Sequence, residues 1–120
     1  MSSHYKQGLE PKWLILQNNL DFTVGNIVKY IYRYPHKGSK IEDLEKIKEY
    51  CIWLSEYKTT CCIKTNSLNT FLNNNDFDAN QKEMYWNLMY YLHYGNGDYI
   101  LGLIKLANNV LINELKEKNE

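Results

Sequence analysis

Asn26, Lys29 and Arg33 follow one another at i, i+3 and i+7, which on a helix projects all three from one face. Their chemistry suits an anion. Arginine presents a planar fork to phosphate oxygens, lysine a mobile point charge, and asparagine both a donor and an acceptor. Between Asp21 and Glu42 there is no acid at all, while Lys29, Arg33, Lys37 and Lys40 bring four cations, with His36 among them. In a chain of formal net charge +0 this is a local positive pole. It falls at a turn and beside the start of the next helix, where unpaired backbone N–H groups add to the pull on an anion. The competing reading is a solvated polar face with ion pairs to Glu42, Asp43 or Glu45. Pattern alone favours that plainer reading.

The elements that must hold these residues are helical. Pro11 after Glu10 suits a first helical turn, in a short helix through Trp13, Leu14 and Leu16 that Asn18-Asn19 ends. Asp21 is a candidate cap for a helix in which Val24, Ile27, Val28 and Ile31 form one apolar stripe, stopped by Pro35. Ser39-Lys40-Ile41-Glu42 reads as a capping box before a long helix with Leu44, Ile47, Cys51 and Leu54 on its core stripe. Residues 58–66 read as a linker. Ser67 is expected to start a short helix through Leu68, Phe71 and Leu72. Asp78 with Gln81 makes a weaker capping box before a helix carrying Met84, Leu88 and Leu92. After Gly95-Asn96-Gly97, Asp98 is the expected cap of a last helix. There Ile100, Leu103, Ile104, Ala107, Val110, Leu111 and Leu115 keep the helical period. No segment alternates with period two. The fold class is therefore all-α, two helical hairpins joined by a linker and a short helix. It reads as a single helical domain over 1–120, with one hairpin half over 4–57 and the second over 67–117.

Composition sets bounds on function. Zero net charge gives no global field for non-specific DNA binding. No apolar run approaches the ~20 residues of a membrane span, and no signal peptide is visible, so a cytoplasmic location is expected. Three cysteines, two of them the adjacent Cys61 and Cys62, fit neither a disulfide framework nor a zinc site. His4, His36 and His93 lack ligand partners at metal spacing. There is no phosphate-binding loop, since His36-Lys37-Gly38-Ser39 has only the ending of one. Glu42, Glu45 and Glu49 interleave with lysines, as a solvated face does. No metal or cofactor is expected. Eleven tyrosines supply apolar area with a hydroxyl handle, mostly as partly buried filler. Tyr90-Tyr91-Leu92-His93-Tyr94 is expected to bury against the partner hairpin. The remaining tyrosine-rich surface suggests a homo-oligomer, most simply a dimer.

One resemblance adds to this. His4-Tyr5, Glu10-Pro11, Leu20-Asp21-Phe22, Gly25-Asn26-x-x-Lys29-Tyr30-x-x-Arg33, Lys37-Gly38, Asp43-Leu44 and Tyr50-x-x-x-Leu54 resemble the SaV-like domain-of-unknown-function family of phage proteins. One branch of that family is a nucleotide kinase of coliphage-type podophages that works without a P-loop. The likeness covers residues 4 to about 57. It implies a shared polar site of His4, Asn26, Lys29 and Arg33, to which the cation run adds Lys37. Family members usually carry Asp-Leu-Lys-Lys-Ala where this chain has Asp43-Leu44-Glu45-Lys46-Ile47, one cation fewer. The resulting expectation is an accessory protein of an infected host's cytoplasm, binding a nucleotide or cyclic nucleotide and sequestering it from host defence. The alternatives are a nucleoside monophosphate kinase, and an inhibitor that docks on a host protein.

Overall fold

Four residues of α2 (Phe22–Arg33) settle how the first half folds: Val24, Ile27, Val28 and Ile31 form an unbroken buried stripe. Asp21 starts the helix, its carboxylate accepting the Val24 N–H at 2.9 Å. The chain is seen in a computed structural model that describes residues 8–36 and 38–119. Among these, six helices and no strand are found. Before α2 comes α1 (Pro11–Asn18), with proline in its first turn and Asn19 in the left-handed conformation at its end. After it come α3 (Lys40–Ser55), α4 (Thr65–Asn73), α5 (Ala79–Tyr94) and α6 (Gly97–Lys118).

Both hairpins form, α2 with α3 and α5 with α6, and they close on each other. Tyr85 donates its hydroxyl to the Val28 carbonyl at 2.9 Å, and Gln81 its amide to Ile31 O at 2.9 Å, so α5 runs antiparallel to α2. On the other side Lys40 meets Glu114 at 3.2 Å and Lys48 donates to Asn108 at 2.7 Å, so α6 runs antiparallel to α3. The result is a ring α2–α3–α6–α5 around one apolar core, with α1 and α4 laid over α2 and α5. Buried Asn18 ties that cover down. Its amide donates to Leu14 O and Ser67 Oγ, and its carbonyl accepts the Lys64 N–H at 2.8 Å.

Four expectations are corrected. Ser39 precedes α3, but its side chain makes no capping bond. Its hydroxyl lies instead between Arg33 and Asp43, 3.4 Å from each. The weaker signature, Asp78 with Gln81, forms a complete capping box. The short helix begins at Thr65, two residues before Ser67, whose hydroxyl donates back to Lys64 O. The cap of α6 is Asn96, which accepts from Asp98 N, and Asp98 lies inside the first turn. On that helix Leu115 is 43% exposed, because α6 outruns the start of α3 and little is left to cover it. No helix of the described residues is long and apolar enough to cross a membrane.

Candidate functional site

The outward face of α2 carries the candidate site. Phe22, Gly25, Asn26 and Lys29 line a shallow groove of about 570 Å³ between α1 and α2, with Ile15 across from them. Gly25 leaves its floor bare. A Cβ there would sit 3.5 Å from Ile15 Cδ1, an ordinary contact, so packing does not demand the glycine. Asn26 donates its amide to Phe22 O at 2.8 Å, which holds the side chain along the helix.

Lys29 and Arg33 meet over one ring. The Lys29 Nζ lies 4.6 Å from the Tyr30 centroid and the Arg33 guanidinium carbon 5.8 Å from it. That ring stacks on Tyr50 of α3, with centroids 6.1 Å apart and planes at 15°. Tyr50 in turn meets Phe22 and Trp53 edge-on at 6.0 and 5.0 Å. Phe22 is 72% exposed and Trp53 45%, while Tyr30 and Tyr50 are half-buried against the core, so the group runs from the core edge to the surface. Neither Tyr30 nor the other rings were singled out by charge patterning. Their signal was Tyr30 lying between Lys29 and Arg33, and Tyr50 three residues before Trp53 on a neighbouring helix.

Arg33 has a second commitment. Its Nε lies 3.2 Å from Oδ2 of Asp43, a carboxylate only 3% exposed, while 40% of the arginine side chain stays open. The N–H is not aligned on that oxygen, so this is an ion pair without a full hydrogen bond. The ion pair to an α3 acid, which the plainer reading expects, is thus present for Arg33. Lys40 is also neutralised, by Glu114. Among the described residues of the group, Lys29 is the exposed cation. His4 and Lys37 lie outside the described residues.

Two acids border the groove, Glu10 and Asp21. Asp21 is fully engaged: one oxygen caps α2, and the other accepts from Thr59 at 2.8 Å and Tyr57 at 3.3 Å. Burial raises the Tyr57 hydroxyl pKa, the Asp21 charge adds to the rise, and so the phenol remains a donor. Glu10 is exposed. No cluster of three or more potential metal ligands occurs among the described residues.

The aromatic patch of the second hairpin is not where the sequence suggested. Tyr91 and Leu92 do pack half-buried against the core, but Tyr90, His93 and Tyr94 are exposed. No curated protein and no solved structure matches the chain. Residues 1–51 match the family described as a protein of unknown function, DUF3310, a match that spans α1 and α2, ends inside α3, and contains Asn26, Lys29 and Arg33.

Proposed function

We propose that the α2 face binds a nucleotide or cyclic nucleotide, with Lys29 on phosphate, Asn26 on base or sugar, and the rings of Phe22 and Tyr30 against the heterocycle. One observation carries the reading: the groove that Asn26 and Lys29 line also takes in the exposed ring of Phe22, and Lys29 and Arg33 converge on the neighbouring half-buried ring of Tyr30. A cation, a hydrogen-bonding amide and an aromatic ring answer the three chemistries a nucleotide presents: phosphate charge, hydrogen-bonding edges and the face of the heterocycle. Arg33 serves the site from its anchored position, its open part adding charge and its anchored part holding the α2–α3 junction. Binding alone is enough for a phage protein that sequesters a host messenger in the cytoplasm of an infected cell, the role that the family resemblance suggests.

The second reading, phosphoryl transfer between nucleotides, draws on Glu10 beside the groove. Transfer to a nucleoside monophosphate is helped by carboxylates that hold a magnesium–nucleotide substrate. With Asp21 taken up by its cap and by Thr59 and Tyr57, Glu10 stands alone, which favours binding over catalysis.

A thermal-shift panel of mono-, di-, tri- and cyclic nucleotides, with and without magnesium, tests the proposal. The expected result is stabilisation by a subset sharing one base, largely independent of magnesium. A ligand at 100 times its Kd raises stability by ~2.7 kcal/mol, well within detection. No shift with any nucleotide at millimolar concentration would refute it. Product formation from ATP and a monophosphate would transfer the case to the kinase.

A further inference from the structure

The atoms through which Arg33 meets its acid leave the outer edge of the guanidinium free. Asp43 Oδ2 lies 3.2 Å from Nε, and Nη2 donates to Ser39 Oγ at 3.4 Å. Nε and Nη2 each point one N–H in the same direction, so both contacts fall on a single inner edge of the planar group. Ser39 closes the set by donating to Asp43 Oδ1, also at 3.4 Å. Nε is buried, yet 40% of the arginine side chain is open. Nη1 and the second N–H of Nη2 carry no bond among the described residues. The Tyr30 ring, 5.8 Å from the guanidinium carbon, adds a third contact.

We propose that Asp43 and Ser39 are positioning residues for the α2-face ligand: they hold Arg33 by its inner edge and present the outer edge, Nη1 with Nη2, as a preformed fork for two phosphate oxygens. The inference rests on the reading of that face as a nucleotide site. It adds an orienting contact to the charge of Lys29, which converges on the same ring. Linear and cyclic nucleotides both expose two such oxygens, so the fork suits either.

The anchor is built to stay in place. Asp43 is 2% exposed and its backbone N–H is bonded to Ser39 O at 2.9 Å, so the carboxylate has no route to water. A buried carboxylate deprived of its cation is costly, which keeps Arg33 at its post. Ordering a long side chain at the moment of binding weakens affinity, and Arg33 is ordered beforehand. A lysine at this position has one ammonium and no fork, so it cannot serve anchor and phosphate together.

Phenyl phosphate, a ring bearing one phosphate, is the probe, titrated by NMR into full-length wild type, Asp43→Ala, Ser39→Ala and Ser39→Thr. Charge alone predicts tighter binding once a nearby carboxylate is removed. Positioning predicts the opposite sign: roughly three- to tenfold weaker binding for Asp43→Ala and about threefold weaker for Ser39→Ala, with Ser39→Thr close to wild type because the hydroxyl is kept. A readout independent of affinity comes from the Arg33 side-chain nitrogens. The pinned guanidinium of the free wild type should give separate Nη1 and Nη2 signals, which rotation merges in the alanine variants. If Asp43→Ala does not fold, the two Ser39 variants decide alone. Binding by the alanine variants as tight as wild type, while Lys29→Ala weakens it, overturns the positioning role and leaves the α2-face reading standing. Merged signals in the free wild type overturn it as well. So does a wild type that binds nucleotides but not phenyl phosphate; a wild type that binds neither removes the α2-face reading too.

Discussion

Both hairpins display a run of aromatic rings, and among the described residues only one run has cations over it. On α5 and the start of α6, Trp86, Tyr90, Tyr94 and Tyr99 stack in sequence, with centroids 5.9, 6.2 and 6.2 Å apart. On α2 and α3, Tyr30 stacks on Tyr50, and Lys29 and Arg33 sit over Tyr30. The first ladder arises from i, i+4 spacing on α5 and is continued by Tyr99 of α6; the second joins α2 and α3. Among the described residues no cation lies over the first, which covers apolar area without presenting charge to an anion. The second lies at a junction where cations, an amide and a groove converge. Aromatic content alone therefore does not mark the candidate site; convergence of charge on the rings does.

The largest effect that tests this comparison concerns the core the hairpins share. Both contribute buried groups with raised pKa values. Burial pushes up the Cys51 thiol of α3 and the Tyr85 phenol of α5, from ordinary values of 9.0 and 10.0. A folded-state pKa above the unfolded one means stability that is complete below the unfolded value and declines as pH rises past it. Each group should cost roughly 1.4 kcal/mol per pH unit once that value is passed. Urea unfolding should give a flat profile to about pH 9 and a steep fall beyond pH 10. A flat profile through pH 11 would mean that the two hairpins do not share a dry core.

Next in size is Arg33→Ala. It leaves the buried Asp43 carboxylate without its cation, and we expect a loss of ~2 kcal/mol, less than for a fully buried pair because the arginine is 40% exposed. A change within ~0.5 kcal/mol would show that Arg33 is held weakly and serves the ligand alone. Tyr85→Phe removes the bond to Val28 O and should cost ~1 kcal/mol. Tyr34→Phe should cost nothing or stabilise, since the Tyr34 hydroxyl is buried with no hydrogen-bond partner among the described residues. Equal losses for both would contradict this. Gly25→Ala should raise stability by ~0.5–1 kcal/mol, as alanine is the better helix former and its Cβ fits. The same change should weaken nucleotide binding about fivefold by filling the groove. Gain in both would remove the groove from the account.

Much of the fold was legible because helical period survives without tertiary knowledge. The stripes of α2 and α3 are buried as read, and Asp21 caps as read. What failed were choices between rival partners. Ser39 has the sequence of a cap, yet its hydroxyl is drawn to Arg33 and Asp43, groups six residues before it and four after. The acid-free stretch from 22 to 41 was real but local. Asp43 and Glu114 reach Arg33 and Lys40 through the hairpin and across α6, and no window of sequence carries that contact. The stacked ring pair was hidden for the same reason, since Tyr30 and Tyr50 are neighbours only after α2 folds back on α3.

Calorimetric titration of the best-binding nucleotide into wild type, Lys29→Ala and Tyr94→Ala, each at two salt concentrations, tests the central claim most directly. The account predicts that Lys29→Ala loses ~1.5–3 kcal/mol of binding, more at low salt, while leaving unfolding unchanged. Tyr94→Ala, on the ladder without cations, should bind as wild type does. Equal affinity for wild type and Lys29→Ala, or a loss confined to Tyr94→Ala, would contradict it.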